Sequence, residues 1–466
     1  MFKLYIYEEM IKKKNIFKIF ILFLLAHTIL WTIIPSVSNK NLPLDTIEAL
    51  AWGSNLDWGF DKHPPFSAFV VELFYKIFGS NDWAYYFLSQ IFVAISFFFV
   101  WKFSEEIFKE KLLSLLSVLL LEGIFFFNYT TPEFNVNISQ LPFWSLSIFY
   151  CWKSTETNNF KDWFLFGFFA SCGFLSKYLF ILLLIALSAF IVNNIIKTKK
   201  FNYRYFLPVI VFFAILFPHI FWLFDNNFSS LYYGISRTGV YEKNIYSHFL
   251  NPVLFFLKQG ILLIPMFALI YLLIKKIKFS LKKNDKATTF LIFINLIPFF
   301  LIFLISILTG SKIRTMWMTP FYLFLPTLII YISQKYIYLK KLKMFFILFV
   351  TLFFLSPSIY LYVSLSDNSK RTDYPGREIS YLVQKKWEEN FSNEILVVVG
   401  DEWGAGNLSY HLPSRPKWFN KLEDKLLLLD SNAGVVYAGN PQVLKKICPG
   451  VYGTIKPLGY CMIGKR

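Results

Sequence analysis

The stretch LDTIEALAWGSNLDWGFDKHPPF, from Leu44 to Phe66, gathers Asp45, Glu48, Asp57, Asp61, Lys62 and His63 directly after an apolar run. Asp45 and Glu48 have the i, i+3 spacing, so on a helix they share one face. Trp52 follows Glu48 at i+4 and walls the same face. Pro64 and Pro65 cannot continue a helix and force the chain to turn. The expectation is a helix carrying two carboxylates, then a turn that presents Asp61, Lys62 and His63. Such a constellation suits proton abstraction or metal binding, together with recognition of an anionic group. The spacing fits equally well a solvated loop with ordinary capping residues.

Other ionisable groups sit at or inside apolar runs. Glu122 lies within LLSVLLLEGIFFF, and Lys177 lies in GFLSKYLF between two such runs. A charge within or beside the bilayer is costly and is by default a functional candidate. Lys177 also fits a residue that snorkels to the interface. SRTGVYEKNIYSH, Ser236 to His248, supplies Arg237, Tyr241, Lys243 and His248, and TGSKIRTMWMTP adds Lys312 and Arg314. Cations beside a membrane suit a lipid phosphate or pyrophosphate. Each one alone also fits a headgroup contact.

The elements that must hold these groups are membrane helices. The chain of 466 residues is 56% hydrophobic and 21% aromatic, with 57 phenylalanines and a mean hydropathy of +0.49. Apolar stretches at 16–35, 83–101, 112–128, 139–152, 162–175, 177–195, 205–224, 251–274, 287–308, 316–334 and 345–364 predict eleven spans. The segment 65–79 is apolar but too short to cross, which fits a re-entrant or interfacial helix. The basic N-terminus leads into an apolar run with no small-residue cleavage site after it, so the first span is expected to be retained. With the N-terminus inside, the inner connections hold three times as many lysines and arginines as the outer ones. This topology accounts for the net charge of +18 without nucleic acid. It puts residues 36–82 on the outer face as the first outer loop.

The membrane region is expected to cover residues 1–364, with an outer α/β domain over 365–466. In that second region Ile379, Leu382, Val383 and Trp387 share one helical face, and EILVVVGDEWG and AGVVYAG read as short buried strands. Cys448 and Cys461 then lie in an oxidising compartment, where a disulfide can form. Cys151 and Cys172 sit in apolar segments and read as inert. There is no Walker A motif, HExxH or G-x-S-x-G, and no inverted repeat of broken spans.

DTIEALAWGSNLDWGFDKHPPFSAFVVELFYKIFG resembles the first outer loop of GT-C glycosyltransferases, in the branch similar to dolichyl-phosphate-mannose protein mannosyltransferases. That branch includes bacterial enzymes that add aminoarabinose or galacturonic acid to lipid A or lipopolysaccharide core. Its members carry an acidic motif after the first span and then a WGY…KHPPL or YFDHPPL motif. Asp45 with Glu48, and Trp58 to Pro65, stand at those places here. GFLSKYLF, Gly173 to Phe180, and TMWMTPFYLFLP are similar to two further segments of the family.

The resemblance implies a mainly α, polytopic fold in the inner membrane of a bacterium, with its site on the periplasmic face. It implies transfer of a sugar from a polyprenyl-phosphate donor to lipid A, lipopolysaccharide or a protein, with inversion. Asp45 would be the base, and Lys62, His63, Lys177 and Arg237 would hold the donor phosphate. The family's adjacent acids are here separated by Thr46 and Ile47, so Glu48, Asp61 or neither is the acidic partner of Asp45. Glu48 would orient Lys62 or bind a divalent metal; no other cofactor is implied. A lipid or polysaccharide transporter is the alternative from a different class.

Overall fold

The computed structural model describes residues 13–237, 244–274, 285–367, 369–421 and 433–466. Tyr241 and Lys243, named above, lie outside these residues.

All eleven apolar stretches are helical, but they differ in how they could cross a membrane. Helices α1 (Lys13–Ser38), α2 (Leu44–Gly53), α3 (Phe66–Phe78), α4 (Asp82–Phe108) and α5 (Lys111–Leu119) open the chain. They are followed by α6 (Val136–Thr157), α7 (Phe160–Ser176), α8 (Ile181–Thr198), α9 (Leu207–Asp225) and α10 (Ser229–Ser236). Then come α11 (Ser247–Leu262), α12 (Ile264–Leu273), α13 (Lys286–Thr309), α14 (Leu325–Ser333) and α15 (Leu342–Ser366).

Among the described residues, 6 helical segments are long and apolar enough to span by themselves. Two bent pairs bring the number to 8: α11 with α12 at 51°, and the 3-10 segment Thr315–Tyr322 with the helix after it at 47°. Pro265 and Pro326 stand in the first turns of α12 and α14, where a missing N–H costs least and the chain can bend.

The other three of the eleven stretches depart from the simple span. The segment starting with α5 breaks into 3-10 turns at Leu120–Gly123 and Phe125–Phe127. Helix α7 has only 17 residues. Helix α6 is long enough but carries Asn137, Ser139, Gln140, Ser145 and Ser147, all buried. It packs between α4 and α7, so protein and not lipid surrounds it. A hydropathy reading sees such a helix only as a weak span. The segment predicted to be re-entrant or interfacial is α3, a helix of 13 residues.

After α15 the chain forms α16 (Gly376–Glu388), β1 (Ile395–Val399), α17 (Gly404–His411), β2 (Lys417–Phe419), β3 (Gly434–Gly439), α18 (Pro441–Ile447), β4 (Val451–Ile455) and β5 (Leu458–Ile463). The sheet order is β2-β1-β3-β5-β4. Strand β1 runs parallel to β2 and β3, while β5 is antiparallel to β3 and β4. Ile379, Val383 and Trp387 are the buried face of α16, as their spacing predicts. Cys448 and Cys461 are joined by a disulfide; Cys151 and Cys172 are free and buried.

The core of this C-terminal lobe does not close on itself. Ile379, Val383, Trp387, Val398 and Leu408 belong to the same apolar cluster as Ala51 and Trp52 of α2, Phe60, and Ala68 of α3. Arg415 fastens the seam. Its guanidinium donates to the Leu50 carbonyl and to Glu72 Oε2, each at 2.6 Å, and stacks over the Tyr75 ring at 4.2 Å. Both members of the Arg415–Glu72 pair are largely buried. Removing one partner leaves the other charge desolvated, so Arg415→Ala is expected to cost about 3–5 kcal/mol. Arg415→Met with Glu72→Met is expected to recover most of it, and denaturation in detergent with both variants measures the difference.

Candidate active site

Helix α2 starts without a capping side chain of its own, since Pro43 precedes it. The orphan donors of its first turn are satisfied from a distant loop. The Asp45 backbone N–H donates to Glu133 Oε1 at 3.2 Å, and the Thr46 hydroxyl donates to the Phe134 carbonyl at 3.1 Å. The same loop then caps α6: Asn135 Oδ1 accepts from the N–H groups of Asn137, at 2.8 Å, and Ile138, at 3.2 Å. The N-termini of α2 and α6 are thus joined, and Asp45 lies at the junction.

Burial pushes the Asp45 carboxyl up, opposed by Lys62, Lys177, Arg237 and Arg371. Burial, and then the neighbouring Asp45 charge, push Glu133 up to about 8. Two carboxylates this close do not both ionise readily in a partly dry site. Asp45 thus has two acidic neighbours, Glu133 and Glu48, and its charge raises both. Asp61 is exposed on the turn. Glu48 is also bonded to a cation: its Oε1 accepts from Lys62 Nζ at 2.8 Å.

Lys62 is held by two carboxylates, Glu48 and Glu402, the second at 3.0 Å from the C-terminal lobe. Burial works to lower the Lys62 ammonium, but both carboxylates oppose it and the net shift is upward. Burial raises Glu48, against the hydrogen bond from Lys62. Among the described residues no group of three or more His, Cys, Asp or Glu side chains is arranged to hold a metal ion.

His63 packs edge-on to Trp52 and to Tyr233. Burial, with Lys177, Lys62 and Arg237 nearby, lowers it to about 3, so the ring is neutral in the free site. Trp52 stacks on Phe60, and it lines a small void with Asp45, Glu48 and His63. The wall expected from its spacing is in place. The turn is fixed from behind by Trp222, whose ring lies 2.2 Å from where a Cβ on Gly59 would sit. Only glycine permits that approach. His219 Nδ1 bonds the Trp58 carbonyl at 2.6 Å and its Nε2 bonds the Tyr178 hydroxyl at 3.0 Å.

Lys177 is the extended residue that ends α7, with φ −164° and ψ 131°, and it lies outside the helices on either side. It points inward rather than to a surface: it is 7% exposed, its Nζ donates to Asn137 Oδ1 at 2.5 Å and sits 5.2 Å from the centre of the Trp317 ring. Burial pulls the ammonium down to about 7, with Asp45 opposing and Arg314 adding to the fall. Arg237 ends α10 and lies over the Tyr233 ring at 5.5 Å, while Lys62 faces the same ring at 6.0 Å.

The structure thus gathers Asp45, Glu48, Trp52, Lys62, His63, Lys177 and Arg237 around one end of the bundle and leaves Asp61 outside. Lys312 is exposed, and His248 bonds the Ile307 carbonyl. Glu122 is spent on a buried pair with His27, at 2.5 Å between Oε1 and Nδ1.

Three participants were not read from the sequence. Glu133 sits in NYTTPEFNVN, where the one signal was an acid two residues before an Asn N-cap. Glu402 follows a strand in the other lobe, and Arg371 lies in the connection to it, beyond the reach of any local pattern. Arg371 lines a cavity of about 500 Å³ with Asp45, Glu133, Tyr129, Tyr360, Phe125 and Met316.

Residues 62–222 match the family model described as dolichyl-phosphate-mannose-protein mannosyltransferase. No curated protein matches the chain. The chain is similar in structure to ArnT from Cupriavidus metallidurans, solved bound to undecaprenyl phosphate, with a TM-score of 0.62 and 11% identity. That similarity covers 95% of this chain and 97% of the other.

The Glu133 carboxyl, raised from 4.5 to about 8, favours the folded state while it is protonated. Its contribution is fully present below about pH 4.5 and is lost as pH rises through about 8. The stability of the native chain is therefore expected to fall relative to Glu133→Gln across that window. Melting in detergent against pH checks it; parallel curves contradict the shared burial of the two acids.

The chain therefore has the multi-pass helical fold of ArnT, with its candidate site at the C-terminal-lobe end of the bundle, and residues 62–222 within it match the protein-mannosyltransferase family model.

Proposed function

We propose that the chain is a membrane glycosyltransferase that moves a sugar from a polyprenyl-phosphate donor to an acceptor on the outer face of a bacterial inner membrane. The observation that carries this reading is the setting of Asp45. It is a partly buried carboxylate at a helix start, with Lys62, Lys177, Arg237 and Arg371 all acting on it. A base surrounded by cations is suited to a reaction in which a proton is taken and a phosphate leaves.

In this reading an acceptor oxygen attacks the anomeric carbon and its proton passes to Asp45. The bond from that carbon to the phosphate oxygen breaks, and the electron pair leaves with the prenyl phosphate. Attack from the opposite face inverts the anomeric centre. Glu133 keeps a proton near neutral pH and spares Asp45 a second negative neighbour. Lys177, close to half neutral in the free site, becomes fully charged as the phosphate arrives. Lys62 and Arg237 complete the phosphate site, with the neutral His63 as a hydrogen-bonding neighbour. In this reading Glu48 orients Lys62.

The acceptor is assigned as lipid A or lipopolysaccharide core. The cavity beside Asp45 supports a lipid-anchored anion, since Phe125, Met316 and Val363 supply an apolar wall and Arg371 a cation. A transporter is disfavoured, because the ionisable groups collect at helix ends and not at the mid-plane of broken spans.

Asp45→Asn is expected to lower sugar transfer by at least about a hundredfold while the chain still inserts and melts normally. Transfer from purified donor lipid in detergent measures it, and normal output from a well-folded variant removes Asp45 from the role. A deletion strain is expected to lose one hexose, hexosamine, uronic acid or aminopentose mass from lipid A or core. An unchanged mass spectrum overturns the lipopolysaccharide acceptor and directs the search to protein glycans.

A further inference from the structure

Lys62 sits between two acids that arrive from different parts of the fold. Glu48 stands on α2, one face with Asp45; Glu402 belongs to the turn after β1, in the C-terminal lobe. That turn is firmly built. Gly400 has φ 151°, and a Cβ there would lie 2.1 Å from the Ala438 carbonyl oxygen. Asp401 Oδ1 accepts from the Gly404 N–H at the start of α17, and the Trp403 ring packs on Tyr374. The lobe itself is seated on α2 and α3 through the shared apolar cluster and Arg415. Glu402 is therefore delivered to Lys62 by a rigid neighbour and is not a side chain that reached it by chance.

Two carboxylates are more than one ammonium needs. When both are ionised, the triad carries net negative charge. An incoming phosphate that takes Lys62 must displace one of them, because three anions around one ammonium repel each other. Glu48 lies beside Asp45 on a helix whose first turn is bonded to residues 133 and 134. Glu402 reaches Lys62 from the lobe and lies off the helix that carries Asp45, so its side chain can turn aside without disturbing α2 while its backbone stays fixed.

We propose that Glu402 is a positioning residue that competes with the lipid phosphate for Lys62 and so limits how tightly the spent prenyl phosphate is retained. The inference rests on the proposed donor site, in which Lys62 is a phosphate ligand. Its consequence is that the lobe takes part in product release: the carboxylate recaptures Lys62 as the lipid phosphate departs.

The test is binding of undecaprenyl phosphate to the full chain in detergent. Glu402→Gln and Glu402→Ala are both expected to bind it about fivefold or more tightly than the native chain, the gain from removing a competitor for the binding-competent site. Prenyl phosphate is expected to become a correspondingly stronger product inhibitor, with the KM for acceptor unmoved. Glu402→Asp is expected to stay near the native affinity. A lobe contact without this role predicts a lower melting temperature and unchanged or weaker binding, and either binding result in a folded variant overturns the proposal. Lys62→Met separates the two levels. If it leaves undecaprenyl phosphate binding intact, the donor-site reading fails; if it weakens binding while neither Glu402 variant strengthens it, only the competition fails.

Discussion

Desolvation of charge at the rim of the helix bundle is the constraint around which this fold is arranged. Asp45, Glu133, Glu48, Lys62 and Lys177 are all at least partly withdrawn from water, and none has enough partners on its own element. The solution is cross-linking between elements. Residues 133 and 134 satisfy the first turn of α2, Asn137 of α6 takes Lys177 from the end of α7, and Glu402 of the lobe shares Lys62 with α2. Each bond that relieves a buried charge also joins two segments far apart in the chain. The helices are thereby held at one end by the same groups that form the candidate site.

The C-terminal lobe belongs to this arrangement and is not an appendage. Its apolar cluster is completed by Ala51, Trp52, Phe60 and Ala68, and Arg415 closes the seam with Glu72 and the end of α2. Displacing the lobe would expose the back of α2 and remove one of the two carboxylates from Lys62. Sharing a core with α2 and α3 adds buried apolar surface to a unit of about a hundred residues, and the fraction of surface buried rises with size.

Much of the architecture could be read locally. The eleven apolar stretches are all helices, the amphipathic face of α16 is the buried one, and both short strands of the lobe form. Helix α6 is the least plainly written of the eleven, because its buried Asn137, Ser139 and Gln140 face protein and lower its hydropathy. In the site, the i, i+3 spacing of Asp45 and Glu48 put them on one helix, and the prolines brought Lys62 back to Glu48. The same spacing left Glu48, Asp61 or neither as the partner of Asp45. Glu133 joins Glu48 beside Asp45 because it answers the uncapped first turn of α2.

Hydrophobic periodicity, proline positions and charge bias act over a few turns, and they suffice for the helices and the first-loop residues of the candidate site; the resemblance to GT-C enzymes rests instead on the motif residues Asp45, Glu48 and Trp58 to Pro65. Glu133, Arg371 and Glu402 carry no such signal, being ordinary acids and bases in short connections. Their roles follow from which helix ends meet and which backbone donors are left over when they do. A residue's charge is written in one letter, but the desolvation that gives it a function comes from segments tens to hundreds of residues away.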